Sequence, residues 1–425
     1  MATDTAFQMA ASNVRFGKGV TGEIGMDLRD MGVRRTLVVM DPALVDLPTG
    51  EVVRKALQDN NIGFDIFSEV SVEPTDASFQ RAAEVACEGD YDSFVAVGGG
   101  STIDTCKAAN LYATYPADFF TYVNAPIGEG KPVPGPTKPL IAIPTTAGTG
   151  SETTGVAIFD YVEKHAKTGI AHRYLKPTLG IIDPDNTATM PAAVAASSGL
   201  DVLSHALESY TAMPFDQRPK PNSPLERPAY QGTNPISDIW AIKALELMAE
   251  YLPRAYADTS DEEARMSMLM ASTIAGIGFG NAGVHLPHGM SYPVAGMVKQ
   301  FEPAGYEVDH PIVPHGMSVI LNTPAVVRFT APSDPGRHLI AARALGADIS
   351  DVPPEAAGEV LAERVIHFMK LTDMPNGLNA VGYSNADIPA LVQGTLPQHR
   401  VTKLSPIEAG EAELTRLFED SMNIW

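Results

Sequence analysis

The chain has 425 residues, 44% of them hydrophobic, and a formal net charge of −21. That length exceeds one ordinary hydrophobic core, so two domains are expected. The acidity opposes contact with phosphate backbones and anionic lipid, which excludes nucleic acid and membrane surfaces as expected partners. Two cysteines, Cys87 and Cys106, stand outside any CxxC pair, so a disulfide framework is not expected and a reducing compartment is favoured.

The first stretch, MATDTAFQMAASNVRFG, has no basic n-region and no long apolar run, so it does not read as a secretory signal. No run in the chain approaches 18 apolar residues, the length a membrane helix needs. The expectation is a cytoplasmic protein; the alternative is the mitochondrial matrix, for a processed eukaryotic chain.

Residues 1–190 alternate short apolar runs with helical patterns. TLVVM (36–40), SFVAVG (93–98), LIAIP (140–144), GVAIF (155–159) and LGIID (179–183) are continuous apolar runs, as strands buried on both faces should be. Helical segments such as 78–89 separate them, which argues for βαβ units and a mostly parallel sheet. The predicted first domain is therefore an α/β, dinucleotide-binding domain over 1–190, with a hinge from Asp183-Pro184 to Pro191.

Two loops in this half suit an anion. In VAVGGGSTIDTCK (95–107) a strand runs into Gly98, Gly99, Gly100 and Ser101 and then a helix, with Asp104 and Lys107 in its first two turns. Glycines let a backbone approach a phosphate, and helix-start N–H groups point at it, although a plain strand-to-helix turn uses the same residues. IPTTAGTGSETT (143–154) is rich in small hydroxyls, which suit ribose and pyrophosphate. Asp41 closes the strand TLVVM and has two readings: a carboxylate for ribose hydroxyls that favours NAD over NADP, or an N-cap ahead of Pro42.

Beyond residue 190 the patterns are helical in period and length, at 190–212, 237–252 and 262–280. The predicted second domain, 191–425, is all-α. A Pro-rich connection at 214–235 reads as a lid, a subunit contact or a plain surface insertion. In GLDVLSHALESY (199–210), Asp201 and His205 lie four apart on one helical face. They form either a satisfied core pair or half of a metal site. His285 and His288, and then His315, follow downstream; one carboxylate with three imidazoles is a proper ligand set for a divalent transition metal, iron(II) or zinc.

GGGS with its Asp and Lys (98–107), PTTAGTGSE (144–152), GLDVLSHALESY (199–210), HGMSYP (288–293) and PHG (314–316) together resemble the iron-containing, group III alcohol dehydrogenases. The further stretches VEPTDASF (72–79), TTGVAIFDY (153–161), RPAYQGTNPISDIWAI (227–242), GIGFGNAGVHLPHGMSYP (276–293) and YSNADIPALVQGTLPQHRVTKL (383–404) resemble the branch that moves hydride between a hydroxyacid and a 2-oxoacid. The resemblance implies Asp201, His205, His288 and His315 as metal ligands, with Fe2+ expected over Zn2+. It places NAD against Gly98 to Ser101, Asp104, Thr145, Thr146, Thr149 and Lys167, with Asp41 at the ribose. It also implies alcohol or hydroxyacid and oxoacid substrates and a homodimer. The alternative activity is an ordinary NAD-dependent alcohol dehydrogenase that releases NADH each turnover.

Two departures from the family pattern stand out. The residue four after His288, a second histidine in many members, is Tyr292 here. His285 and Tyr292 are accordingly candidates for a replacement proton relay, or they merely pack. The segment between His288 and His315 is also longer than in simpler relatives, and Lys299 or His310 could meet a substrate carboxylate there, unless it is a solvated loop.

Overall fold

In the computed structural model the described residues are 2–164, 166–306, 308 and 310–425, with the side chain of residue 225 also left out. Glu307 and Asp309, in the long segment before His315, thus lie outside the described residues. The chain divides into two units, one over Ala10–Met190 and one over Pro191–Trp425 that also takes in the N-terminal segment up to Met9.

In the first unit β1 (Asn13–Phe16), β2 (Arg35–Met40), β3 (Gly63–Phe67), β4 (Ser93–Gly98), β5 (Leu140–Pro144) and β8 (Leu179–Ile182) build one sheet in the order β1-β8-β5-β4-β2-β3. Every pairing in it is parallel. The central strands are apolar throughout because both faces are covered. On one face Val38, Met40, Val95 and Val97 pack with Ile24 and Leu28 of α1 (Ile24–Asp30) and Val53 and Leu57 of α2 (Pro48–Asp59). On the other, Leu37, Val39 and Ala96 pack with Ala82 and Ala86 of α3 (Asp76–Glu88) and Ile103 and Cys106 of α4 (Gly100–Thr114).

One expected strand lies elsewhere. GVAIF falls in β6 (Val156–Tyr161), which pairs antiparallel with β7 (Ala166–Ala171) as a separate two-stranded ribbon. Its later residues Asp160 and Tyr161 are partly exposed, so it has one buried face rather than the two of a central parallel strand.

The strand order reverses direction beside β2. The chain leaves β2 through α2 to β3 on one side, returns through α3 to β4 on the other, and continues outward through α4 to β5. The carboxyl ends of β2 and β4 therefore border the crevice where open α/β sheets bind ligands. Asp41 sits at the first end and Gly98–Ser101 at the second.

The second unit is built on α5 (Ala192–Thr211), packed by α6 (Pro235–Ala257) and α7 (Glu262–Ala282). Then follow α8 (Leu286–Gly296), α9 (His315–Ile320), α10 (Thr323–Thr330), α11 (Pro335–Ala344), α12 (Ala357–Leu371), α13 (Ile388–Thr395), α14 (His399–Thr402) and α15 (Glu411–Ser421). Among the described residues no single helix is long and apolar enough to cross a membrane. The Pro-rich connection is tied down within this unit. Buried Asp4 accepts from Arg227 at 2.9 and 3.0 Å and from Arg218 at 3.3 Å, and the backbone N–H groups of Gln231 and Gly232 donate to the end of α7.

Candidate active site

Helix α5 is buried around nearly its whole circumference, so each polar side chain on it needs a partner. Ser204 and Thr211 donate to the carbonyls one turn back, at 3.0 and 2.8 Å. Asp201, His205 and Glu208 remain, spaced four and three apart on one stripe. Helix α8 begins beyond Gly283, whose φ of +98° and tight approach to Tyr230 and Leu404 exclude a larger side chain. It carries His288 to that stripe. His315 opens α9, which is held to α5 by the Met317 N–H donating to Ser197 Oγ at 3.2 Å.

The four expected ligands meet. Asp201, His205, His288 and His315 each present one donor atom, and these atoms all lie within 4.8 Å of one another. His288 Nε2 is 3.1 Å from His205 Nε2 and 3.6 Å from Asp201 Oδ1, and His315 Nε2 is 3.8 Å from the same oxygen. The first three side chains are buried, while that of His315 is 25% exposed, so the cluster is reached from the His315 side. Asp201 Oδ1 is buried with no hydrogen-bond partner. A buried carboxylate oxygen left bare among converging imidazoles fits a cation and is costly otherwise. One carboxylate and three nitrogens are a donor set for Fe2+ or Zn2+; the residues present therefore fit a divalent metal.

Glu208, which the sequence reading passed over, organises this centre. Its Oε1 accepts from His288 Nδ1 at 2.6 Å, and its Oε2 accepts from the His285 N–H at 2.6 Å. A carboxylate on Nδ1 fixes the proton there and leaves Nε2 as the free lone pair aimed at the cluster. Burial pushes the His288 pKa down, but Glu208 and Asp201 outweigh it and raise it; the two carboxylates thus favour positive charge at this position, which a bound cation in place of the Nε2 proton would supply. Burial pushes the Asp201 carboxyl up, yet His205, His315 and His288 hold it well below the usual range. Burial lowers His205 to about 3, keeping it neutral as a ligand must be. Phe279 of α7 stacks flat on the His205 ring at 3.9 Å and fixes its plane.

His285 and Tyr292 have separate partners. His285 is buried at the start of α8, its Nε2 3.1 Å from Thr211 Oγ1, and burial lowers its pKa to about 4. Tyr292 is buried one turn after His288, and its hydroxyl accepts from Arg400 at 2.9 Å. Among the described residues no hydrogen bond joins the two. Lys299 is taken up by Asp387, at 2.7 and 2.8 Å.

Gly316 lets α9 approach α5 closely enough for His315 to reach Asp201. A Cβ there would lie 2.0 Å from the Ser197 carbonyl oxygen and 2.9 Å from Asp201 Cβ. Gly316→Ala should force the two helices apart, destabilise the fold by about 1–3 kcal/mol and weaken metal binding. Chemical denaturation with metal analysis checks this, and wild-type values for both would contradict it.

In the first unit the two loops lie side by side. A Cβ on Gly98 would fall 2.4 Å from Thr102 Oγ1, and one on Gly100 2.5 Å from Thr149 Cγ2; Thr146 comes as close as 3.2 Å to the corresponding point on Gly99. The glycines thus allow the Thr-rich loop to rest on the start of α4, whose first N–H groups have no intrahelical acceptor. The Thr145 N–H donates to the Gly98 carbonyl, Thr145 is buried, and Thr146 and Thr149 are partly exposed. Ser101 Oγ accepts from the Glu73 N–H at 3.3 Å. Asp41 caps the following turn through the Ala43 N–H at 2.9 Å.

Asp104 and Lys167 are engaged inside the fold. Asp104 accepts from Ser151 Oγ at 2.6 Å, Lys107 Nζ at 3.3 Å and the Ile158 N–H at 2.9 Å, so it clamps the Thr-rich loop and the β6–β7 ribbon to α4. Lys107 adds bonds to Ser151 and to the Val156 carbonyl. Buried Lys167 lies 2.6 Å from Glu73 and 3.0 Å from Asp160.

Comparison with known proteins covers both units. Residues 11–184 match the family described as iron-containing alcohol dehydrogenase, and residues 226–422 match the Fe-containing alcohol dehydrogenase family, C-terminal. The chain is 57% identical to hydroxyacid-oxoacid transhydrogenase, mitochondrial, of Rattus norvegicus and 58% identical to that of Homo sapiens. In each case the match spans 100% of this chain and 91% of the relative. It also resembles the crystal structure of sulfoacetaldehyde reductase from Bifidobacterium kashiwanohense in complex with NAD+, at 27% identity and a TM-score of 0.79 over 98% of both chains. The relatives' names overturn the expectation of a cytoplasmic protein. A reducing compartment, which the two unpaired cysteines favour, does not single out the cytoplasm.

Proposed function

Because the chain belongs to the iron-containing alcohol dehydrogenase family, we propose that it moves hydride from a hydroxyacid to a 2-oxoacid through NAD, as the names of its transhydrogenase relatives describe. The convergence of Asp201, His205, His288 and His315 carries this reading. A divalent ion held by them supplies a Lewis acid that lowers the pKa of a substrate hydroxyl, and NAD supplies the hydride acceptor.

The chain's own residues do the rest. Asp201 offsets charge at the centre, and Glu208 holds the His288 tautomer and, through the His285 N–H, the start of α8. Gly98, Gly99, Gly100, Ser101, Thr145, Thr146 and Thr149 line the nucleotide crevice in this reading, with Asp41 for the ribose. We assign Asp104 and Lys167 to holding that crevice together rather than to touching the cofactor, which their internal bonds support. We likewise assign His285 to positioning and Tyr292 to orienting Arg400. A homodimer belongs to the same reading on the family resemblance, and sedimentation tests it.

Oxidation of the hydroxyacid releases a hydride and a proton, and reduction of the oxoacid takes up both, so a retained cofactor cycles without net change. The pair we propose is 4-hydroxybutyrate with 2-oxoglutarate, giving succinate semialdehyde and 2-hydroxyglutarate. Purified enzyme mixed with both substrates and no added NAD should turn over many times per active site. Turnover only in proportion to added NAD would contradict retention and favour the ordinary dehydrogenase.

A further inference from the structure

We propose that Arg400 binds the carboxylate of the substrates, an assignment that rests on the hydroxyacid–oxoacid reading above. Arg400 lies in α14, packed against α8. One arm of its guanidinium, Nη2, donates to Tyr292 Oη at 2.9 Å, and its carbon stands 5.2 Å from the centre of the Tyr230 ring. The other arm, Nη1, is buried and has no hydrogen-bond partner. No carboxylate among the described residues reaches it.

Carboxylates are plentiful in the chain, which has 51 acidic residues against 30 basic ones. Four other shielded arginines meet carboxylates: Arg218 and Arg227 at Asp4, Arg328 at Glu359 and Arg337 at Asp238. A shielded guanidinium facing only phenols and lacking an anion is costly to the fold, and its planar fork is shaped for a carboxylate.

Its location matches the need. Tyr292, the group it grips, is one helical turn beyond His288, a rise of about 5.4 Å. On the other side Tyr230 neighbours Phe279, with ring centres 6.5 Å apart, and Phe279 lies flat on His205. Arg400 thus connects to the metal cluster along two chains of side-chain contacts, one through Tyr292 on the helix that carries His288 and one through Tyr230 and Phe279 to His205. Tyr292 and Tyr230 hold the guanidinium in place and leave its charge for the substrate carboxylate to neutralise.

The test compares 4-hydroxybutyrate with butan-1-ol, which has the same four carbons and no carboxylate, on holoenzyme with metal content and bound nucleotide verified. Arg400→Met should lower kcat/KM for the hydroxyacid by about 10²-fold, mainly through KM, and change that for the alcohol less than about threefold. By calorimetry, the dissociation constant of 2-oxoglutarate should rise by a similar factor. Arg400→Lys, which keeps the charge, should fall between the two on the hydroxyacid and match wild type on the alcohol; it decides the matter if the Met variant does not fold. Equal losses on both substrates, or an unchanged hydroxyacid KM, would overturn the assignment. Wild-type enzyme that oxidises butan-1-ol but not the hydroxyacid would instead sink the hydroxyacid reading, and the assignment with it.

Discussion

Asp201→Ala is expected to abolish stoichiometric metal binding and to lower kcat/KM by at least about 10³-fold. Asp201 supplies the single negative charge among the four converging donors, and its Oδ1 lies 3.6–3.8 Å from two of the three imidazoles. Without it, three neutral rings must hold a doubly charged ion in a buried site, where uncompensated charge is most unfavourable. A metal contributes several kcal/mol to stabilising charge on a reacting oxygen, and each 1.36 kcal/mol is a factor of ten in rate. Asp201→Asn keeps the shape and removes only the charge, so it separates electrostatics from packing and should fall nearly as far. Metal analysis beside steady-state kinetics checks both variants. Full metal content with activity within tenfold of wild type would contradict the assigned ligand.

Glu208→Ala should lower metal affinity by about 10–100-fold, the usual effect of removing the group that orients a ligating histidine, although Glu208 touches no metal in this account. It should also destabilise the protein by more than an ordinary surface change. Two buried donors, the His285 N–H and His288 Nδ1–H, lose their acceptor at 2.6 Å, and each such loss is worth about 1–3 kcal/mol. Glu208→Gln retains one acceptor oxygen and should recover part of both. Chelator competition gives the affinity and chemical denaturation the stability. A variant that loses stability but keeps wild-type metal affinity would make Glu208 a packing residue and nothing more.

Some of this was legible in the amino-acid sequence for plain physical reasons. Strands β2, β4 and β5 are buried on both faces, so they appear as unbroken apolar runs. β1 and β3 carry no such run because they are edge strands, partly exposed, and the run in β6 does not reveal its sheet because a half-buried ribbon and a parallel strand share the same valines and phenylalanines. Asp201 and His205 stood out as candidate ligands because an aspartate and a histidine one turn apart are conspicuous on an apolar helix. Glu208 lies in the same stretch of α5, seven after Asp201 and three after His205, and that spacing was the available signal. Its role depends on α8 arriving beside it, which helical spacing within α5 does not encode. Asp104 and Lys167 show the converse: motif alone places them near a cofactor, and it carries no sign of their bonds to Ser151, Ile158, Glu73 and Asp160. Arg400 meets Tyr292 across 108 positions of sequence, beyond the reach of any local pattern.

One divalent ion is expected among four side chains drawn from α5, α8 and α9. Anomalous diffraction from crystals of the metal-loaded protein tests it most directly. One strong peak per chain is expected, bonded by Asp201, His205, His288 and His315 together. A peak that leaves out any two of those residues, or a metal held elsewhere while the four side chains remain bare, would contradict it.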